Sequence, residues 1–281
     1  MLSFNDHKFG NLTEKLITFA NKAYPKFGNV IIMAGGAGSG KGFVKDKLVG
    51  AEGFTFDVDE LKKISARTPA IIKKVKDELD VDLPLLGRDM RNPENVSKMH
   101  EIIGDYLNLD NKRMQAFYSS VITAHPDRKP NIIFDVTLKD LRKLQNITRQ
   151  IKNIGYDPKM IHIVWVVNDI EVAVAQNAAR ARKVPVEILV NTHRGAAQTM
   201  GDIINMGNDL GKYMDGDIVF AFNKVGVDQE LDRSRSGGSY IKDSNYFYVK
   251  KSGKPVQSMA NMSRELKAKI QSYVPKGVDW Q

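Results

Sequence analysis

Five short runs of apolar, mostly β-branched residues punctuate the chain: NVIIMA at 29–34, FTFDV at 54–58, NIIFDV at 131–136, MIHIVWVV at 160–167 and DIVFAFN at 217–223. Most are near-continuously apolar instead of alternating, the pattern of strands covered by helices on both faces of a parallel sheet. Stretches with helical spacing lie between them, as at 138–154 and 170–183. This rhythm predicts an α/β fold: a doubly wound, mainly parallel sheet of about five strands.

Three segments break the rhythm. Residues 11–23 read as an amphipathic helix, with Leu12, Leu16, Ile17 and Phe19 or Ala20 on one face to pack on the sheet. Residues 64–130 are too long for an ordinary crossover, and AIIKKVKDEL and KMHEIIGDYL within them carry helical spacing, so a helical insertion capping the active face is expected. After Asn223, RSRSGGSY reads as a loop, YFYVKKSGKPV as a hairpin turning near 252–254, and 259–273 as a final helix. The expected organisation is an N-terminal helical extension over 1–28, a core over 29–224 holding the insertion 64–130, and a basic loop, hairpin and C-terminal helix over 225–281.

Composition narrows the chemistry. With 281 residues and no cysteine, disulfides, zinc-thiolate sites, iron-sulfur clusters and thiol nucleophiles are excluded. No apolar run approaches the roughly 20 residues of a membrane span, and MLSFNDHKFG lacks a basic stretch followed by an apolar one, so a cytoplasmic location with no membrane contact is expected. The formal charge of +9 favours a polyanionic partner. From Lys224 onward there are eleven Lys and Arg against six Asp and Glu, which makes the C-terminal region the expected place for nucleic-acid contact. Tyr246, Phe247 and Tyr248, set among lysines there, suit either base stacking or cross-strand packing. The five histidines have no metal-ligand spacing, and His162 reads as a satisfied strand residue.

The chemistry concentrates in VIIMAGGAGSGKGF, residues 30–43. Gly35, Gly40 and Lys41 satisfy G-x-x-x-x-G-K, with Gly36, Ala37, Gly38 and Ser39 between them. Such a loop turns main-chain N–H groups around phosphate oxygens in conformations that a β-carbon disfavours, and its lysine reaches the β- and γ-phosphates. Residues 35–42 are therefore the candidate nucleotide cradle. Its departure from the pattern is Gly42, where Ser or Thr usually contacts magnesium. Either water, carboxylates and nucleotide hold the metal, or the loop binds without turnover.

Three more motifs follow: Asp57-Val58-Asp59-Glu60-Leu61-Lys62, Asp135-Val136-Thr137, and Arg180-Ala181-Arg182-Lys183-Val184-Pro185. With the glycine loop, they resemble the zeta-toxin-like and polynucleotide-kinase-like group of P-loop kinases over about residues 29–224. The loop itself is similar to that of adenylate kinases, which also place glycine after the lysine but have Thr where this chain has Phe43. The resemblance implies an ATP- and Mg2+-dependent phosphotransferase that moves the γ-phosphoryl group to a hydroxyl of a nucleic acid, nucleotide or nucleotide-sugar. It makes Asp59 the acceptor-orienting base, with Asp57 in support, and Lys41, Arg180 and Arg182 the groups that neutralise the phosphoryl. It gives Asp135 the magnesium, through water, and Thr137 and Arg194 substrate contacts; residues 223–228 would meet adenine.

Each role has a plainer alternative: Asp59 caps a helix starting at Glu60, Asp135 braces the loop at 41–43, Thr137 caps a helix from Leu138, and the arginines lie on a solvated face. Arg180 and Arg182 point apart on a regular helix, so the helix is expected to end near Pro185 and leave a lid. The competing function is a nucleotide- or nucleic-acid-binding module with a degenerate, catalytically inactive loop.

Overall fold

The computed structural model describes residues 16–19, 22–179, 183–223, 231–233, 239–241 and 245–280. A six-stranded sheet forms its centre. In chain order its strands are β3 (Val30–Ala34), β4 (Phe54–Phe56), β5 (Ile132–Asp135), β6 (Ile161–Asn168), β7 (Ile218–Asn223) and β10 (Tyr246–Lys250). They lie side by side as β10-β7-β6-β3-β5-β4. The first five are mutually parallel, the arrangement expected from the apolar runs, and β10 is antiparallel to β7.

The apolar runs are continuous because both faces are covered. One face of the sheet presents Ile32, Phe134, Trp165 and Phe220 to α7 (Leu141–Asn153), α9 (Val186–Asn205) and α10 (Arg264–Tyr273), through Ile147, Met200 and Ile270. The other presents Ile31, Met33, Val164 and Val219 to Val44, Leu48 and Val49 of the segment after the glycine loop. That segment is α1 (Lys41–Val44), continued by a π-helical turn at Lys45–Val49.

Residues 58–121 carry α2 (Val58–Ser65), α3 (Pro69–Leu79), α4 (Leu83–Arg88), α5 (Pro93–His100) and α6 (Leu109–Val121). They close over a core of their own, made by Leu61, Val75, Leu83, Met99, Ile102, Ile103 and Leu107. The remaining helix, α8 (Ile170–Ala179), follows β6.

The helix predicted over 11–23 does not form in the described part. Leu16–Phe19 and Lys22–Pro25 are strands β1 and β2, paired antiparallel with Leu16 opposite Pro25 and Phe19 opposite Lys22. The β-branched and aromatic residues of LITF favour a strand, and β2 is fixed from its side chains. The Tyr24 hydroxyl and the Lys22 ammonium both donate to the buried Asp217 carboxylate beside β7.

Of the predicted C-terminal hairpin the first arm forms as β10 and the turn at 252–254 forms, but among the described residues no second strand follows. β10 pairs with β7 instead, and the chain turns at 251–254 before the Gln257 N–H returns to the Val249 carbonyl. Without β10, β7 would be an open edge. Phe247 stacks on Phe222 and meets Phe220 edge-on, so its ring is a cross-strand packing group. β8 (Leu231–Arg233) and β9 (Ser239–Ile241) pair separately. No helix among the described residues is long and apolar enough to cross a membrane.

Candidate active site

Because the five core strands are parallel, their carboxyl ends share one edge, where ligands bind in open α/β sheets. The glycine loop leaves β3 at this edge. Gly38 and Gly40 have φ of 77° and 85°, a left-handed backbone that favours glycine.

Side chains from neighbouring strand and helix ends hold the loop. Asn168 at the end of β6 donates to the Gly38 carbonyl at 3.2 Å, and Asn223 at the end of β7 donates to the Ser39 carbonyl at 2.7 Å. On α9, Thr192 Oγ1 accepts the Ala37 N–H at 3.2 Å, and His193 Nε2 lies 2.8 Å from the Ala37 carbonyl. Burial lowers the His193 pKa, leaving the ring neutral with its Nε2–H donating. The Gly35 N–H donates to the Thr137 carbonyl at 3.3 Å. With so many loop carbonyls engaged by donors, the loop keeps one shape.

Lys41 arches over this loop, donating to the Gly35 and Gly36 carbonyls at 3.0 and 3.3 Å, with Asp135 Oδ1 3.6 Å away. Asp135 ends β5 beside Met33 of β3. Burial raises its pKa, the Lys41 charge opposes that rise, and the charges of Asp57 and Asp59 add to it. The charges of Asp57 and Asp59 thus reach Asp135, which has the Lys41 ammonium beside it, while Asp59 has that of Lys62. Among the described residues no group of three or more acidic or histidine side chains forms a ready-made metal cage. A magnesium ion held largely by water and phosphate fits such a site.

Ser39 is 1% exposed, and a β-carbon on Gly35 would come within 2.7 Å of its Oγ. That hydroxyl has no hydrogen-bond partner among the described residues. Gly42 is the opposite case: it is exposed, and a β-carbon there would meet nothing within 4 Å.

The aspartate pair differs from the capping alternative drawn from sequence. Helix α2 starts at Val58, so Asp57 is its N-cap and accepts the Asp59 N–H at 2.8 Å. Asp59 lies in the first turn of α2, 43% exposed, with Lys62 at 3.6 Å. Thr137 caps no helix, since Asp140 begins α7. The next residue, Leu138, is buried at a φ of 49°, a costly conformation for a branched side chain.

A cleft opens beside the carboxylates, lined by Phe56, Asp57, Leu61, Asp110, Arg113 and Asp135 among others. Arg113 reaches Glu60 at 3.4 Å and lies over the Phe54 ring, while Asp110 Oδ1 is buried without a partner among the described residues.

Arg180 and Arg182 lie outside the described residues, as do positions 224–228. The flanks of the arginine segment are fixed. The Asn177 amide donates to the Val184 carbonyl at 2.8 Å and accepts the Val184 N–H at 2.9 Å, while the Lys183 N–H meets the Met90 carbonyl at 3.2 Å. Arg194 bonds Asn191 on its own helix, at 3.2 Å.

Asn168, Thr192 and His193 were not anticipated as braces of the loop, and Asn223, expected to begin an adenine-contacting loop, bonds the glycine loop instead. The asparagines left a trace, because one apolar run ends in Asn223, another is followed at once by Asn168, and the two residues are register partners. The α9 pair left none.

Residues 98–214 match the family model described as zeta toxin. Similar solved structures include the AvrRxo1-ORF1:AvrRxo1-ORF2 complex with sulphate ions, at 13% identity and a TM-score of 0.45, covering 89% of this chain and 66% of that one. Another is the PezAT chromosomal toxin-antitoxin system of Streptococcus pneumoniae, at 12% identity and a TM-score of 0.39, covering 85% of this chain and 80% of that one. The AvrRxo1-ORF1:-ORF2 complex with ATP is similar at 10% identity and a TM-score of 0.43, over 89% of this chain and 65% of that one. The chain thus spans just under two thirds of the length of the AvrRxo1 chains. No curated protein matches it. The chain is thus similar to the zeta toxin family over residues 98–214, a stretch that holds Asp135 and α9 and leaves the G-x-x-x-x-G-K loop on its N-terminal side.

Proposed function

We propose that the chain is an ATP-dependent phosphotransferase that moves the γ-phosphoryl group to a hydroxyl of a nucleotide, nucleotide-sugar or nucleic acid. One observation carries this reading. The loop at 35–40 is held from β6, β7 and α9, with Lys41 and Asp135 at its mouth. Phosphoryl transfer depends mainly on positioning and charge neutralisation, and such a cradle supplies both.

Residues 35–42 bind the polyphosphate through main-chain N–H groups, and Lys41 leaves the Gly35 and Gly36 carbonyls to contact phosphate oxygens. Asp135 would hold Mg2+ through water, and the bound ion would supply neutralising charge to the phosphates; Asp57 supports Asp59. The acceptor enters the cleft beside Phe56 and Arg113, where Asp59 orients its hydroxyl and accepts the proton. Arg113 and Lys143 on the cleft wall suit an anionic acceptor, while Phe56 and Met114 suit an apolar ring. Arg180 and Arg182 neutralise the moving phosphoryl, with Thr137 and Arg194 as lesser substrate contacts. The excess of basic residues after Lys224 suits a polyanionic acceptor.

Gly42 favours the second reading, a nucleotide-binding module without turnover, because no hydroxyl follows the lysine. Labelled ATP and Mg2+ incubated with nucleosides, nucleotide-sugars, RNA and DNA separate the two. The phosphotransferase reading expects label on one acceptor class, and Asp59→Asn is expected to lower transfer at least about 100-fold while keeping ATP affinity. ATP binding with no transfer to any acceptor favours the module.

A further inference from the structure

We infer that Thr192 and His193 are positioning residues that clasp Ala37 from α9 and so set the shape of the phosphate cradle. This rests on the phosphotransferase reading and concerns the same site. Two consecutive residues of one helix engage both main-chain polar groups of Ala37, its N–H through Thr192 Oγ1 and its carbonyl through His193 Nε2. The Thr192 hydroxyl donates to the Leu189 carbonyl at 2.7 Å, which leaves its lone pairs for the Ala37 N–H. His193 is buried, with its ring packed where a side chain on Gly36 would stand.

Gly36 carries a second, independent sign of the clasp. A β-carbon there would lie 2.0 Å from His193 Cδ2 and 2.5 Å from Nε2, yet its φ is outside the left-handed range. Glycine is therefore required at 36 by the histidine ring, whereas Gly38 and Gly40 are also required by backbone conformation. Two residues further along α9, a β-carbon on Gly195 would come within 2.7 Å of Lys139 Cβ, so the same helix presses on the loop that follows Asp135 and Thr137. Helix α9 thus registers the phosphate loop against the carboxylate loop. Its first turn follows Val184, the residue clipped by Asn177, so the end of α8 is joined to the start of the same rod.

The test is a mutant cycle on the full chain, read by calorimetric ATP binding. Gly36→Ala is expected to weaken ATP binding at least about tenfold, because the new methyl drives the ring and the loop apart. His193→Ala is expected to weaken it by less, and Gly36→Ala combined with His193→Ala to bind ATP better than Gly36→Ala alone. Rescue by removing a second side chain is not expected of two residues that merely support the fold. Thr192→Val, which keeps the shape and loses the acceptor, provides a variant less exposed to folding failure. It is expected to raise KM for ATP about tenfold with kcat within threefold, and to speed amide hydrogen exchange at 36–39 in the ligand-free protein.

Gly36→Ala binding ATP like the unaltered chain, or a double variant no better than Gly36→Ala, overturns the clasp. So does unchanged exchange at 36–39 in Thr192→Val. If the unaltered chain takes up no ATP, the phosphotransferase reading fails, and the exchange experiment still decides whether the clasp exists.

Discussion

Gly42 stands where a hydroxyl is usual, and nothing in the fold forces it to be glycine: a β-carbon there would have open space. A serine at 42 would also replace a flexible residue in the first turn of α1, where glycine costs about 0.5–1 kcal/mol relative to a better helix former. Gly42→Ser is therefore expected to leave the melting temperature unchanged or raise it. It is also expected to lower the Mg2+ concentration for half-maximal phosphoryl transfer several-fold, measured by magnesium titration of initial rates. The aspartates show how much of a site hangs on a helix boundary. Asp57 and Asp59 both stand out in the sequence as candidates, but starting α2 at Glu60 instead of Val58 moves the capping role from one to the other. Residue identity is written in the sequence, whereas the turn that decides which carboxylate faces the backbone is a local contest between alternative hydrogen bonds.

At the scale of elements, the five core strands were legible because burial on both faces leaves an uninterrupted apolar run. The N-terminal hairpin was not, nor was the partner of β10. β1 and β2 have few residues each, and the feature that fixes β2 is a polar cluster assembled from distant parts of the chain. Tyr24, Lys22 and the Ser252 N–H all meet Asp217, and the Asp217 N–H in turn donates to His162 Nδ1 at 3.0 Å. No local pattern announces such a meeting. Tyr24→Phe removes one donor from a buried carboxylate and is expected to destabilise the protein by about 1–3 kcal/mol, read from urea unfolding. An unchanged midpoint would show that the hairpin adds nothing to the fold. The partner of β10 was hidden for a related reason: its aromatic residues fit a hairpin arm equally well, and only the open edge of β7 decides between them.

For the whole molecule, the buried histidines couple stability to pH. His162 is held neutral by burial, its pKa pushed from 6.5 down to about 4, and its Nδ1 accepts a backbone N–H that a second proton would displace. His193 is lowered in the same direction, again chiefly by burial. Burial raises the Asp217 carboxyl, but hydrogen bonds from Tyr24, Ser252 and Lys22 outweigh it and hold the pKa below the ordinary value. Between pH 6.5 and 4 the unfolded chain binds protons that folded His162 refuses, so stability is full above about 6.5 and falls as pH drops. His162 alone accounts for about 3 kcal/mol of that loss, and Asp217 adds a further loss at lower pH. Urea midpoints at pH 7.5, 5.5 and 4.5 are expected to fall in that order, with little change above pH 7. A flat profile would mean that these groups titrate as they do in solvent. The sheet, the glycine loop and the basic C-terminal region thus follow from the sequence, while the side chains that brace the loop follow from the three-dimensional meeting of strand ends with α9.

The central claim is that main-chain N–H groups ahead of Lys41 form a pocket for a nucleotide's polyphosphate. Isothermal calorimetry of ATP with Mg2+, on the unaltered chain and on Lys41→Ala of matched folding, tests it most directly. Saturable uptake by the unaltered chain, weakened at least about tenfold in the variant, is the expected result. No uptake by the well-folded chain, or equal uptake by both, would contradict it.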